Sequence, residues 1–199
     1  MRVCVKKKIY LFGKRMLDIA VSLCGLILLS PLIAIVSLII KLDSPGPAIF
    51  TQKRIGRENK IFVIYKFRTM KIDTPEVAKK DLLNKGVDDY FTRVGPFLRK
   101  SLTDEIPQLI NVIKGDMSLV GPRPALHNQY DLIQMRTEKG VHKVRPGMTG
   151  WAILKGGEDL NLEDKVETDT YYITNMSFRL DLKILLMTFG VLFRKKGIY

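Results

Sequence analysis

Two adjacent carboxylates, Asp104 and Glu105, stand in the run Ser101-Leu102-Thr103-Asp104-Glu105-Ile106-Pro107-Gln108. Ser101 or Thr103 can cap a helix there, and Pro107 is tolerated because first-turn N–H groups lack partners within a helix. The pattern therefore predicts a helix from Asp104 to Lys114, stopped by Gly115, with both acids in its first turn. Acids at that place offset the helix dipole, which is reason enough for their presence and keeps them ionised. They are also equipped for chemistry. One carboxylate can attack phosphorus as a nucleophile, while its neighbour serves as a base or holds Mg²⁺, which usually takes one or two carboxylates plus substrate phosphates.

Cations that match such chemistry lie on both sides. The segment Gly115-Asp116-Met117-Ser118-Leu119-Val120-Gly121-Pro122-Arg123-Pro124 sets Arg123 between Pro122 and Pro124. Two fixed φ angles stiffen the loop and hold the guanidinium ready for a bidentate phosphate contact; a rigid connector with an exposed arginine is the alternative. Arg145-Pro146-Gly147-Met148-Thr149-Gly150-Trp151 is a second stiff turn with a cation at its entry. With Lys66, Arg68, Arg93 and Arg99, these arginines exceed what two carboxylates need, which suits a nucleoside diphosphate with its metal. The chain has no Gly-rich phosphate loop or GxGxxG, and His127 and His142 are not spaced as a metal motif.

The elements that position these groups must fit into 199 residues, enough for one domain and an appendage. A hydrophobic share of 46% and a mean hydropathy of +0.05 exclude both a disordered chain and a many-pass membrane bundle. Thirty-three Lys+Arg against 20 Asp+Glu leave a net charge of +13, so the partner is anionic: nucleic acid, acidic lipid or a phosphorylated substrate. Cys4 and Cys24 form neither a disulfide framework nor a metal site.

From Ile19 to Ile40 no residue is charged. The stretch spans about 33 Å as a helix, the thickness of a hydrocarbon core. A cleaved signal peptide fits less well, since the run lacks a small-x-small exit and Lys41 and Asp43 follow it. Ser30-Pro31 interrupts it near the middle, where Pro31 has no N–H for the carbonyl of Ile27. Basic residues flank both ends and favour the cytoplasmic side. Two forms satisfy these constraints: a Pro-kinked single-pass anchor, and a re-entrant helix-break-helix that returns to its own side, with Ser30 among the groups that satisfy the freed carbonyls.

Beyond the turn-rich Asp43-Ser44-Pro45-Gly46-Pro47, Ala48 to Gln52 and Lys60 to Arg68 read as a hairpin around the loop Arg54 to Asn59. Lys66 and Arg68 share a strand face with Phe62 and Ile64, either toward solvent or toward a site. Thr74, Pro75 and Gly86 bracket a polar helix, and further helices fit Ala125 to Glu138 and Leu162 to Thr174. The last, Phe178 to Lys196, is apolar nearly all round, so it is either deeply packed or lies at a membrane interface.

Taken in order, Lys14-Arg15-Met16-Leu17-Asp18, Ser30-Pro31, Gln52-Lys53-Arg54-Ile55-Gly56, Lys66-Phe67-Arg68-Thr69-Met70, Asp104 to Val112, Lys114 to Pro124 and Arg145 to Trp151 resemble the bacterial sugar transferases. These are small monotopic polyprenyl-phosphate phosphoglycosyl transferases. The resemblance covers nearly the whole chain and implies an α+β protein. Its parts would be a basic cytoplasmic tail at 1–15, a re-entrant membrane helix at 16–41 broken at Ser30 and Pro31, and a catalytic domain at 42–199. That domain would be mostly helical, with a short hairpin and interfacial amphipathic helices, 178–196 among them. It also implies transfer of a sugar-1-phosphate from a UDP-sugar to polyprenyl (undecaprenyl) phosphate, opening exopolysaccharide, capsule or glycoconjugate assembly. Asp104 would carry the phosphosugar covalently and Glu105 would hold Mg²⁺, while Arg68, Arg99, Pro122, Arg123, Pro124 and Arg145 would bind substrate. The expected place is the cytoplasmic face of a bacterial inner membrane, with membrane lipid as a partner and room for a homodimer or downstream glycosyltransferases. The sugar and the pathway stay open. One departure stands out: Ile153 and Gly157 occupy positions where the family commonly has Gln and Arg. Two rival classes are weighed against this. A nucleic-acid binder explains the charge but lacks a base-stacking motif, and a non-catalytic membrane-tethered scaffold explains the anchor but not the acid pair.

Overall fold

The computed structural model describes residues 2–74 and 90–193. The helix expected from Thr74 to Gly86 and the end of the one expected to reach Lys196 fall outside them. Helix α1 (Arg2–Leu28) runs through the basic segment into the apolar run and meets α2 (Ser30–Asp43) at a 62° bend. Proline causes the break, and Ser30 Oγ donates to the orphaned carbonyl of Ile27 at 2.8 Å, as the sequence led us to expect. No single helix among the described residues is long and apolar enough to cross a membrane; the bent pair together has the length and composition of a broken span or a re-entrant loop.

Strands β1 (Ile49–Ile55) and β2 (Ile61–Phe67) pair antiparallel from Ile49–Phe67 to Ile55–Ile61, the expected hairpin with a shorter loop, since Arg54 and Ile55 pair within β1 instead of turning. Ile64 is buried against Val112 and Met117, and Lys66 follows two residues on, on the same face. Helix α3 (Gly95–Lys100) precedes α4 (Gln108–Lys114), which is shorter than expected. Strand β3 (Ser118–Val120) pairs parallel with β4 (Gly147–Thr149), and α5 (Tyr130–Glu138) lies between them in sequence, starting later than Ala125. These two strands were expected as turns, because three residues flanked by Pro and Gly carry no periodicity. Helices α6 (Trp151–Lys155), α7 (Leu162–Thr174) and α8 (Phe178–Phe193) complete an α+β chain with eight α-helices among the described residues.

Helix α1 is tied to the rest by charge. Lys14 Nζ and Tyr10 OH reach Asp181 of α8 at 2.8 and 2.7 Å, and Tyr172 OH of α7 donates to the same carboxylate at 2.8 Å. Arg15 donates to the carbonyls of Val112 and Ile113 at the end of α4, and Asp18 accepts from the Leu119 N–H. Residues 14, 15 and 18 share one side of the helix, so Phe12, Met16, Leu23 and Ile27 stand exposed on the other. The C-terminal half of α2 is packed instead: Val36 and Ile40 join Ala48, Phe67 and Leu98 in one core cluster. Helix α8 is packed along one face only, burying Ile184 against Val120 and Tyr172 while Leu182, Leu186 and Phe189 are exposed.

The short parallel pair is held by close backbone approach. A Cβ on Gly147 would stand 2.1 Å from the Gly121 nitrogen, and one on Gly150 2.2 Å from the Gly121 oxygen. Gly147→Ala is therefore expected to cost at least about 2 kcal/mol by forcing the two loops apart. A lowered melting temperature checks this; an unchanged one would mean that the loops part freely.

Candidate active site

The acid pair does not sit in the first turn of an α-helix. Asp104 and Glu105 belong to a 3₁₀ turn, Thr103–Glu105, and α4 begins at Gln108 with no side-chain cap. Pro107 is the reason. It has no N–H for the Thr103 carbonyl, which takes the Ile106 N–H at 3.2 Å in the tighter pattern. Ser101, expected as a cap, turns its hydroxyl back to the carbonyls of Phe97 and Leu98. Before the turn, Leu102 adopts φ 54°, a left-handed conformation that costs a leucine roughly 1–3 kcal/mol and is typical of functional sites.

This turn forms part of the wall of a cavity of about 490 Å³. Glu105 Oε1 accepts from Lys66 Nζ at 2.8 Å and from Arg123 Nη2 at 3.4 Å, and its Oε2 accepts nothing among the described residues. Burial pushes the Glu105 carboxyl up, but Lys66 and then Arg123 override it and hold the group at about 2. Burial also lowers the Lys66 ammonium from its ordinary value. Asp104 is 6% exposed and accepts no hydrogen bond among the described residues. Burial dominates there, so its carboxyl is raised to about 6 although Lys66 opposes the shift. The helix-end expectation of a readily ionised Asp104 is thus corrected: a buried turn disfavours its charge.

The other expected residues divide. Arg123, Pro124, Arg99 and Arg68 line the cavity. Arg99 donates from Nε to Thr69 Oγ1 at 3.0 Å and stacks over Phe91. Arg68 grips the end of α2 through Ser44 and Pro45. Pro122 takes the Gly147 N–H on its carbonyl and so pins the loop to β4. Arg145 is elsewhere: its Nε donates to the Gly115 carbonyl, at the end of α4 opposite the acid pair, and it is not in the cavity wall.

Two supports were not singled out along the chain, although Asn111 lies within the resembling segment Asp104 to Val112. Arg136 binds Asp169 through Nε and Nη2 at 3.0 and 2.6 Å and donates from Nη1 to the Arg123 carbonyl, fixing the loop from beneath. Asn111, fully buried, accepts the Tyr65 N–H and donates to the Val63 carbonyl, joining α4 to the strand that carries Lys66. Ile153 and Gly157, the two departures, both line the cavity.

Among the described residues no group of three His, Cys, Asp or Glu gathers as a metal site. Two carboxylates on a cavity wall nevertheless fit Mg²⁺, which takes its remaining oxygens from phosphates and water. Beside them Lys66, Arg99 and Arg123 offer cations to an anionic ligand.

A family model described as bacterial sugar transferase matches residues 9–195. A UDP-N-acetylgalactosamine-undecaprenyl-phosphate N-acetylgalactosaminephosphotransferase of Aeromonas hydrophila is 42% identical over 185 residues, covering 90% of this chain and 43% of the relative. An uncharacterized sugar transferase of Bacillus subtilis, EpsL, is 41% identical, with 93% and 89% covered. A UDP-glucose:undecaprenyl-phosphate glucose-1-phosphate transferase of Escherichia coli is 41% identical, with 94% and 41% covered. The chain thus spans about two fifths of the length of the two relatives whose reaction is named.

Proposed function

Because the chain belongs to the bacterial sugar transferase family, we propose that it moves a sugar-1-phosphate from a UDP-sugar to polyprenyl phosphate, releasing UMP. The observation that carries this reading is the contrast within the acid pair. Asp104 is buried at the cavity with no hydrogen bond among the described residues to blunt its oxygens, while Glu105 beside it is fixed as an anion.

Asp104, once ionised, attacks the β-phosphorus of the donor. A new P–O bond forms to Oδ, the bond to the bridging oxygen breaks, and UMP leaves with that electron pair. An oxygen of the acceptor phosphate then attacks the same phosphorus, and the Asp104 carboxylate departs, giving the polyprenyl-diphospho-sugar. Lys66 and Arg123 hold Glu105 in place and lend positive charge to the diphosphate. Glu105 and Asp104 would hold Mg²⁺, which supplies neutralisation of phosphate charge. Arg136 positions the Arg123 backbone. Ile153 places an apolar group in the cavity wall, so its side chain can give the donor no hydrogen bond.

The exposed apolar faces of α1, α2 and α8 support a seat in the inner membrane, with α1 and α2 dipping in and returning and the cavity on the cytoplasmic face. A soluble donor and a lipid acceptor then meet at the surface. The reading is tested with the protein in nanodiscs, Mg²⁺, undecaprenyl phosphate and a panel of UDP-hexoses and UDP-N-acetylhexosamines. UMP release with at least one donor is expected. No release with any of them, from folded protein, would leave the membrane-tethered scaffold as the better account.

A further inference from the structure

The acid-pair chemistry leaves unused a polar group in the cavity wall near the exit of α2. Arg68 is 4% exposed and lines the cavity. Its terminal nitrogens are committed to the carbonyls of Ser44 and Pro45 and to Ser44 Oγ, but its Nε–H is buried without a partner. Beside it, Thr69 is 5% exposed, and its Oγ1 accepts from Arg99 Nε at 3.0 Å, which leaves the hydroxyl proton to donate. A buried guanidinium N–H without an acceptor is costly, and an oxyanion in the cavity would complete it.

The surroundings narrow the choice of oxyanion. Pro47, Ile49, Met70 and Ile72 form the adjoining wall, directly after the helix that carries the apolar run. The packing is tight: a Cβ on Gly46 would stand 2.3 Å from Arg68 Nη1 and 2.5 Å from Ile72 Cδ1. Ile72 is itself 62% exposed, so this collar opens outward. A nucleotide sugar offers ring faces but no hydrocarbon chain to run outward along such a wall, whereas a prenyl phosphate has both a phosphate and a chain.

We propose that Arg68 Nε–H and the Thr69 hydroxyl, backed by Arg99, form the phosphate subsite of the lipid acceptor, with its first isoprene units against Pro47, Ile49 and Ile72. This rests on the proposed transfer reaction and separates the acceptor's cations from Lys66 and Arg123, which serve the donor. Because the same arginine grips the end of α2, the seat of the membrane helix sets the acceptor's position.

The test is binding, without donor or metal, to protein in phosphatidylcholine nanodiscs. Farnesyl phosphate is titrated, with farnesol, inorganic phosphate and phosphatidylglycerol-containing nanodiscs as separate arms. Wild type is expected to bind farnesyl phosphate saturably and at least tenfold more tightly than farnesol or inorganic phosphate, with no change on adding the anionic lipid. Thr69→Val should weaken farnesyl phosphate at least tenfold while UDP affinity moves less than twofold. Ile72→Ser, at an exposed position, should weaken farnesyl phosphate but not inorganic phosphate, and remains informative if Thr69→Val misfolds. Equal binding of farnesyl phosphate by wild type and both variants overturns the subsite, as does equal loss of UDP affinity. Competition by phosphatidylglycerol would assign the cradle to bulk lipid headgroups instead and overturn it too. Farnesyl phosphate binding that depends on Thr69 in a protein releasing no UMP would sink the reaction and leave the subsite standing.

Discussion

Replacing Asp104 with asparagine is expected to abolish transfer and at the same time make the protein more stable. Loss of the nucleophile removes the covalent half-reaction, so the rate should fall by at least about a thousandfold. Wild type incubated with its UDP-sugar and Mg²⁺, without lipid, should gain the mass of a phosphosugar, and Asp104→Asn should gain none. The stability gain follows from the raised carboxyl. Burial lifts Asp104 to about 6, above its unfolded value, so its favourable contribution is complete below about pH 4 and is lost as the pH rises through 6. Above that, holding the charge costs up to about 3 kcal/mol, of which a neutral asparagine should recover roughly 1–3 kcal/mol. Melting both proteins in chelator from pH 5 to 8 should show a gap in favour of the variant that widens with pH. A variant no more stable at pH 8 would mean that Asp104 is not held in a costly ionised form.

Glu105→Gln is expected to lose activity as well, but with the opposite sign on stability. The pair of Glu105 with Lys66 is nearly dry, with side chains 9% and 17% exposed. Removing one charge of a buried pair strands the other, at about 3–5 kcal/mol. Lys66, already lowered by burial, should then fall further, because the carboxylate that opposes the shift is gone. The folded carboxyl lies at about 2, below its unfolded value, so the wild-type contribution is full above about pH 5 and fades as the pH falls toward 2. Activity should drop by about a hundredfold or more, since the anion that supports the diphosphate site is gone. Adding Lys66→Met to Glu105→Gln should restore most of the melting temperature and none of the rate, because an apolar group replaces a stranded cation. Restored activity in the double variant would show that the pair is structural only.

Opposite shifts of neighbouring carboxylates were not legible in Asp104-Glu105, where both read alike as first-turn acids. Much else was. The break at Ser30-Pro31, the hairpin, α7, and the stiff loop around Arg123 all followed from local pattern, whereas alternation left Lys66 open to solvent or to a site. Arg145 reads as strongly as Arg123 along the chain, since both precede prolines in rigid turns. Only one lines the cavity, because the parallel β3–β4 pairing brings the Pro122 loop to one side and leaves Arg145 at the far end of α4.

By itself the sequence determined whatever rests on a few bonded neighbours: a proline that lacks its N–H, a strand whose alternate residues face one way, an apolar run with basic flanks. Those effects act within one turn or one pleat and need no partner. Tertiary structure alone decided which charges meet. Lys66 is 39 residues from Glu105, Arg136 is 33 from Asp169, and Lys14 is 167 from Asp181. Each pair is strong because folding removes water around it, and the same desolvation lifts Asp104 while Lys66 and Arg123 hold Glu105 down. Dielectric surroundings are a property of everything packed nearby, so residue order near the acid pair does not encode them.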